Sequence, residues 1–204
     1  MRLGKGVTLA ILLALAVALA ASAQFKEEMT PEQAAEFEQY MKLAQPGPEH
    51  EMLAGLAGKW DMSGWVMPQP EAAPLDFTGK AINEMILGGR FLQMTSESGE
   101  GEMYTETMSM IGFDRRSNKY TYVGMDTWGT YFVTAAGDYD EKTKTISMYG
   151  EDVDAVAGFT QKYDQIFQLI DKDKFILSVV FYNKELTGGA DQFKMLEITY
   201  TRAK

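Results

Sequence analysis

The feature that most constrains the fold is a run of short alternating segments that begins at Gly58-Lys59-Trp60 and continues to the end of the chain. Apolar and polar residues alternate within the segments, and glycine, asparagine and aspartate separate them, which is typical of β-strands joined by tight turns. Everything after Gly58 is therefore expected to be all-β. The pattern predicts strands at Lys59–Met67, Leu75–Leu87, Arg90–Ser98, Glu102–Phe113, Lys119–Asp126, Thr130–Tyr139, Thr145–Glu151, Phe159–Ile170, Lys174–Tyr182 and Asp191–Arg202.

The short turns favour a particular arrangement of these strands. Strands joined by short turns pair antiparallel in chain order. An open meander would leave two unpaired edges, whereas closure removes both of them. The sequence therefore predicts a closed antiparallel up-and-down barrel of about ten strands. Because the interior widens with strand number, such a barrel is expected to enclose a cavity for a small ligand.

Two short helices are predicted before the barrel. Thr30 suits an N-cap, Pro31 suits the first helical position, and Gln33 completes a capping-box pattern. This helix should end before Pro46-Gly47-Pro48. A second helix, over Glu49–Ala57, is expected to close one end of the barrel. The predicted organisation is a helical extension over residues 24–47 and a barrel domain over residues 48–204.

The first 23 residues have the pattern of a secretory signal peptide. Arg2 and Lys5 precede the apolar stretch Val7–Ala20, and Ala21-Ser22-Ala23 is a small-residue cleavage site. The apolar stretch falls short of the roughly 20 residues that span a bilayer. We therefore expect cleavage near Ala23, export to the periplasm or the cell exterior, and no stable membrane insertion afterwards.

Composition excludes several kinds of chemistry. The chain has no cysteine, so neither disulfides nor thiol catalysis is available. Its formal net charge of -10 argues against nucleic acid and anionic membrane surfaces as partners. His50 is the single histidine, which leaves no histidine cluster for zinc and makes haem ligation improbable, because it precedes the first strand. No metal site, cofactor or catalytic residue is predicted.

Strand eight gives the clearest prediction of an inward face. If Lys162 and Asp164 face water, the alternation of side chains turns Gln161, Tyr163 and Gln165 inward among aromatic residues. Buried amides need hydrogen-bond partners. The two glutamines thus indicate either a partly polar pocket or positions near the barrel ends, where solvent reaches them.

Four further residues are candidates for ligand binding. Strand four mixes polar and apolar residues on both faces, so the sequence does not show whether Tyr104 and Glu106 face inward. Tyr122 is a candidate on strand five. Arg90 follows Gly88-Gly89 and could hold a carboxylate ligand bidentately, or could instead pair with Glu84 or Glu106 at the rim.

Several blocks of this sequence resemble the DUF1579 family, a group of mostly bacterial proteins without an established activity. The resemblance covers roughly Pro48 to Lys204 and implies a lipocalin-like barrel, but it implies no catalytic residues. Met125-Asp126-Thr127 departs from the family's usual Trp-x-Asp-Ser, and the nearby Trp128 is a candidate to compensate for the missing tryptophan. The blocks are His50, Leu53, Gly58-Lys59-Trp60, Leu87-Gly88-Gly89-Arg90-Phe91-Leu92, Ile111-Gly112-Phe113-Asp114, Lys119-Tyr120, Met195-Leu196-Glu197 and Tyr200-Thr201-Arg202.

The lipocalin-like resemblance also implies a structural latch. In such barrels a basic residue of the last strand packs over the tryptophan of the first strand. Here Arg202 would pack over Trp60, next to Gly58, within about 6 Å of the indole centre. This role belongs to the fold, so Trp60 is a poor candidate for ligand binding.

Three functions are compatible with these observations. The first is a protein that binds a small amphipathic or apolar ligand in the barrel cavity. The second is an enzyme that uses a carboxylate with Tyr104, Tyr122 or Tyr163, which requires two titratable groups within hydrogen-bond reach in the cavity. The third is a protein-interaction module, which a contiguous exposed apolar patch would support.

Overall fold

The barrel is closed and contains ten antiparallel strands. A computed structural model describes residues 30–154 and 158–204. Each strand pairs with its neighbours in the chain, and β1 pairs with β10 to complete the ring. The predicted fold class is therefore confirmed. The strands are β1 Gly58–Val66, β2 Leu75–Ile86, β3 Phe91–Ser98, β4 Thr105–Asp114, β5 Lys119–Asp126, β6 Val133–Asp140, β7 Thr145–Asp154, β8 Phe159–Asp171, β9 Lys174–Phe181 and β10 Phe193–Arg202.

Two helices precede β1 in the described part of the chain. Helix α1 spans Pro31–Leu43 and begins with the expected capping box between Thr30 and Gln33. Helix α2 spans Pro48–Ala54. The chain divides into two compact units between Gln45 and Pro46, so α1 lies in the first unit and α2 with the barrel in the second. The predicted signal peptide, residues 1–23, lies outside the described residues.

Several strand ends differ from the sequence prediction for local reasons. A 3-10 turn at Gly101–Met103 delays the start of β4 to Thr105. Helix α3, Lys184–Thr187, was not predicted, and it ends at Gly188, whose φ of 65° is left-handed. Because Lys184–Thr187 form a helical turn, β10 begins at Phe193, later than predicted. Strand β7 instead continues past Glu151 to Asp154.

The turn Leu87-Gly88-Gly89-Arg90 shows why glycine is needed between β2 and β3. Gly88 and Gly89 have φ angles of 66° and 81°, which side chains with a Cβ adopt at a cost. Gly89 and Arg90 both donate backbone hydrogen bonds to Ile86 O, at 3.1 and 3.2 Å. The tight reversal places β3 directly against β2.

Helix α2 packs against β2, β3 and β4 at one end of the barrel, as predicted. Leu53 is fully buried, and Leu56, just after the helix, accepts hydrogen bonds through its carbonyl from the side chains of Trp60 and Asn83, at 3.0 and 3.1 Å. The His50 ring meets Phe113 edge-on, with 6.3 Å between centroids. We call this the closed end.

An aromatic layer fills the barrel directly inside the closed end. Phe175 stacks on Tyr200 with ring centroids 4.3 Å apart and meets Trp60 edge-on at 4.8 Å. Phe167 lies on the other side of Phe175, at 6.5 Å. These rings are nearly or completely buried. Their packing leaves this part of the barrel filled by side chains, so it contributes stability rather than space for a ligand.

Arg202 lies over Trp60, the arrangement that the latch prediction requires. The two residues are paired across β1 and β10, and the guanidinium carbon lies 4.3 Å from the indole centre. The same guanidinium donates to Gly55 O and Ala57 O, both at 2.9 Å, and to Lys172 O at 2.7 Å. It also pairs with the Asp173 carboxylate at 3.0 Å. One side chain thus joins the segment after α2, the β8–β9 turn and the strand seam.

Replacing Arg202 by lysine is expected to destabilise the barrel by about 2 kcal/mol, because an ammonium keeps the charge but cannot satisfy several carbonyls and stack on indole at once. Urea unfolding of the variant measures this loss. The matched control is Arg116→Lys, whose guanidinium pairs with Asp114 on the surface. Its cost is expected to be about 0.5 kcal/mol or less. Equal losses in the two variants would contradict the latch.

Candidate functional site

A cavity of about 1150 Å³ occupies the half of the barrel away from α2. The β1–β2, β5–β6 and β9–β10 connections contribute residues to its wall, so it opens at the end opposite the closed end. We call this the open end. Five methionine side chains line the cavity together with aliphatic residues of β9 and β10. The methionines are Met62, Met67, Met94, Met125 and Met195.

Strand β8 positions polar side chains in the cavity through simple alternation. Gln161, Tyr163 and Gln165 all line it, and burial alternates along the strand as predicted, with Lys162 exposed between them. Phe167, the next inward residue, belongs to the aromatic layer below. Gln165 therefore lies deep in the cavity, just above its floor. Gln165 is only 5% exposed and lines the cavity, so it is not at a solvent-exposed strand end.

Gln165 is a buried residue whose amide faces the cavity, and no hydrogen bond joins that amide to the rest of the described chain; fully enclosed side-chain atoms without a partner occur there only at Glu49 and Asn83. Gln161, nearer the open end, donates to Asp154 at 3.0 Å. Tyr163 donates to Thr134 O at 3.1 Å. A buried amide normally has a partner. The Gln165 amide is thus available to a molecule that enters the cavity.

Tyr122 contributes a second polar group to the cavity wall, where its hydroxyl hydrogen-bonds with the Ser109 hydroxyl. Burial raises the pKa of Tyr122 to about 12, and the Ser109 hydrogen bond opposes this rise only in part. Burial likewise raises the pKa of Tyr200, whose ring belongs to the aromatic floor and lines the cavity. Both phenols remain neutral at physiological pH, so they serve as hydrogen-bonding groups and not as bases.

The rim of the open end is acidic. Four carboxylates line the cavity there: Glu71, Asp126, Asp152 and Glu185. No lysine or arginine lines the cavity within the described part of the chain. The interior and its rim therefore present neutral groups at depth and negative charge at the opening.

Two of the residues predicted to bind ligand, Tyr104 and Glu106, lie on the outer surface. Ser109 and Ile111 are buried on the inward face of β4, and the alternation therefore turns Glu106 outward. The Tyr104 hydroxyl donates to Glu106 at 3.2 Å on this outer surface. The two side chains do not reach a molecule held in the cavity. Thr107 and Ser109, which do line it, were missed because both faces of β4 carry small polar residues.

Arg90 and Trp128 also lie away from the cavity. Arg90 is at the closed end, where its guanidinium donates to Leu87 O and Gly88 O. Trp128 is 61% exposed, and its indole nitrogen donates to the Thr105 hydroxyl. Trp128 therefore does not compensate inside the cavity for the departure from the family pattern. Met125 itself lines the cavity wall.

The remaining candidate groups belong to the closed end. Trp60, Arg202 and the adjacent Gly58 form the latch described above. Nδ1 of His50 accepts a hydrogen bond from Gly47 N at 3.0 Å, and burial is the main cause that lowers the pKa of His50. His50 is not part of the cavity wall. No group of three or more histidine, aspartate or glutamate residues suited to a metal ion occurs among residues 30–154 and 158–204.

The profile of one protein family matches this barrel over residues 45–202, and its description is "Protein of unknown function (DUF1579)". The chain belongs to the DUF1579 family. The matched residues include every strand of the barrel and all the cavity-lining residues named above. The family description assigns no activity to the matched region.

Other comparisons add little to this DUF1579 barrel. A search of curated proteins finds no match. A solved structure titled as a redesigned β-barrel is similar to it, with a TM-score of 0.36 and 10% identity over 74% of this chain and 95% of the other. Among the described residues, no helix is long and apolar enough to cross a membrane.

The raised pKa of Tyr122 predicts a specific loss of stability at high pH. In the unfolded chain the phenol ionises near its ordinary value of 10.0, whereas in the folded chain it holds its proton to about 12. The unfolded state therefore loses a proton first, and the stability of the fold decreases as pH rises from about 10 to about 12. Tyr122→Phe should reduce this decrease by about 1.4 kcal/mol between pH 8 and pH 11, because about one pKa unit of the difference is realised at pH 11, and urea unfolding at the two pH values measures it. The same pH dependence in both proteins would contradict the assignment.

Proposed function

We propose that this protein binds a small, largely apolar molecule with an uncharged polar group in its barrel cavity. The observation that carries the proposal is the deeply buried Gln165 amide facing a cavity of about 1150 Å³. Folded interiors rarely leave space larger than a water molecule, whereas ligand sites typically occupy about 300–1,000 Å³. Methionine walls favour ligands of irregular shape, because the thioether side chain adapts its rotamers.

The polar groups at depth support a ligand that is not pure hydrocarbon. Gln165, Ser109 and Tyr122 together offer both donors and acceptors to the cavity. A hydroxyl or carbonyl group on the ligand would satisfy the Gln165 amide, and the aromatic floor below it would contact the apolar end. Each buried CH₂ group of the ligand contributes about 0.8 kcal/mol before the cost of association is subtracted.

The enzyme alternative requires a tyrosine and a carboxylate in hydrogen-bond reach inside the cavity, and the described cavity wall contains no such hydrogen-bonded pair. The structure contains tyrosine–carboxylate hydrogen bonds, such as Tyr149 with Glu151 at 2.6 Å and Tyr182 with Asp164 at 2.6 Å, but these residues lie outside the cavity wall. Within the described cavity wall, Tyr163 donates to a backbone carbonyl and Tyr122 bonds a serine hydroxyl. Neither arrangement supplies an acid and a base to the same ligand atom.

Blocking the cavity tests the proposal. Ala81 lines the cavity opposite Ser96 across β2 and β3, and Ala81→Phe places a ring in the ligand's space. We expect the affinity for N-phenyl-1-naphthylamine, an uncharged fluorescent probe, to fall at least about tenfold. The matched control is Ile82→Phe, because Ile82 is the next residue and is exposed on the outer face.

The outcome separates binding from misfolding. If Ala81→Phe lowers thermal stability, Ser96→Phe serves as a second variant, because it places a ring in the same cavity from β3. A wild-type protein that does not bind the probe, or two blocked variants that bind it as well as the wild type, would overturn the proposal. Loss of binding in Ile82→Phe as well would place the probe on the outer surface.

Export is part of the same proposal and rests on the sequence of residues 1–23. A basic start, an apolar stretch and Ala21-Ser22-Ala23 support cleavage that leaves Gln24 as the first residue. Intact-mass measurement of the protein expressed from the full sequence in a bacterial host should give the mass of residues 24–204. Finding the mass of all 204 residues in the cytoplasmic fraction would contradict export.

A further inference from the structure

The distribution of charge around the cavity is one-sided. Four carboxylates line the open end, and the described wall contains no lysine or arginine. Lys184 directly precedes Glu185 in α3 but is exposed and does not line the cavity. A binding site for fatty acids or other anions would need a cation near the ligand's charged group, since burying an unpaired charge is costly. The described part of the cavity wall contains no such cation.

Two of the four rim carboxylates, Asp126 and Asp152, accept hydrogen bonds from the backbone. Asp126 accepts a hydrogen bond from Trp128 N at 2.8 Å, and Asp152 accepts one from Val153 N at 2.8 Å. Each of these carboxylates has a second oxygen left to meet a ligand, because an ionised carboxylate accepts several hydrogen bonds. The hydrogen bonds to Asp126 and Asp152 therefore fix the positions of two of the four negative charges at the opening.

An exposed aromatic ring completes the opening. Tyr131, in the β5–β6 connection, lines the cavity and is 64% exposed. Aromatic faces attract ammonium groups, most strongly when carboxylates lie nearby to favour the cation. Tyr131 and the four carboxylates line the open end of the same cavity, whereas the Gln165 amide lies at its other end among mostly apolar side chains.

We propose that the ligand is an amphipathic cation, with its apolar body inside the barrel and an ammonium or similar positive group at the acidic rim. This inference rests on the proposed function and adds the sign and position of the ligand's charge. The Gln165 amide and the cavity point to a ligand independently of the acidic residues, and the acidic residues decide its charge. Anionic amphiphiles of the same length are expected to be rejected.

The test compares three probes that share a ten-carbon chain: decyltrimethylammonium, decyl glucoside and decanoate. Each displaces N-phenyl-1-naphthylamine from the protein at pH 7.5, low ionic strength and concentrations below micelle formation. The cation is expected to displace the fluorophore at a concentration at least about tenfold lower than decanoate does, since three or four partly exposed ion pairs together provide roughly this factor. Salt at 0.5 M should reduce the difference, because it screens exposed charges.

Two quadruple variants separate the rim from the general acidity of the protein. The rim variant should lose about tenfold in affinity for decyltrimethylammonium and keep its affinity for decyl glucoside and the fluorophore. The control variant, which removes the same charge away from the opening, should behave like the wild type. The rim changes are Glu71→Gln, Asp126→Asn, Asp152→Asn and Glu185→Gln, and the control changes are Glu51→Gln, Asp61→Asn, Glu84→Gln and Glu141→Gln.

The results distinguish failure of this inference from failure of the proposed function. The inference would be overturned if the cation and decanoate displaced the fluorophore equally well, or if the two quadruple variants had equal effects. The proposed function would still stand in either case, provided that the wild type binds the fluorophore. Absence of fluorophore binding in the wild type would overturn both. Loss of binding for all three probes in the rim variant would show a structural role for the carboxylates and would also overturn the inference.

Discussion

The structure depends on one seam, where β1 meets β10 and closes the barrel. Without this pairing both strands would be edges, and the sheet would have no interior. Arg202 reinforces the seam by stacking on Trp60 while it donates to carbonyls of the segment after α2 and of the β8–β9 turn. Because these contacts converge at one end, the seam also determines which end of the barrel is closed.

The two ends of the barrel consequently differ in packing: one is filled by side chains and the other encloses the cavity. Near the latch, Phe175, Tyr200 and Phe167 fill the space between the walls and leave no room for a ligand. Toward the open end, methionine and small side chains replace the rings, and the cavity begins at Gln165. Stability is concentrated where aromatic packing is dense, which allows the other half to tolerate an interior that is neither filled nor fully apolar.

Prediction from sequence succeeded where one face of a strand had an unambiguous pattern. On β8, Lys162 can only be outside, so Tyr163 and Gln165 had to point inward, and they do. The sequence did not show which face of β4 points inward, because small polar residues and methionine occur on both faces and either assignment satisfies the alternation. Arg90 and Trp128 show a different limit. Their side chains extend from connections, and no periodicity relates a residue in a turn to the inside of a barrel.

The sequence by itself determined the ten strands and their order, because alternation and turn chemistry are local properties of the chain, and the cost of unpaired edges then favoured closure. The contact of Trp60 with Arg202 was expected only from the resemblance to lipocalin-like barrels. Only the tertiary structure decided where the cavity lies and what its rim carries. Asp126, Asp152 and Glu185 are far apart along the chain, and they come together because every second connection of an up-and-down barrel returns to the same end. Which charges surround the opening depends on how the closed barrel brings separate connections to one end, so it could not be predicted from the sequence alone.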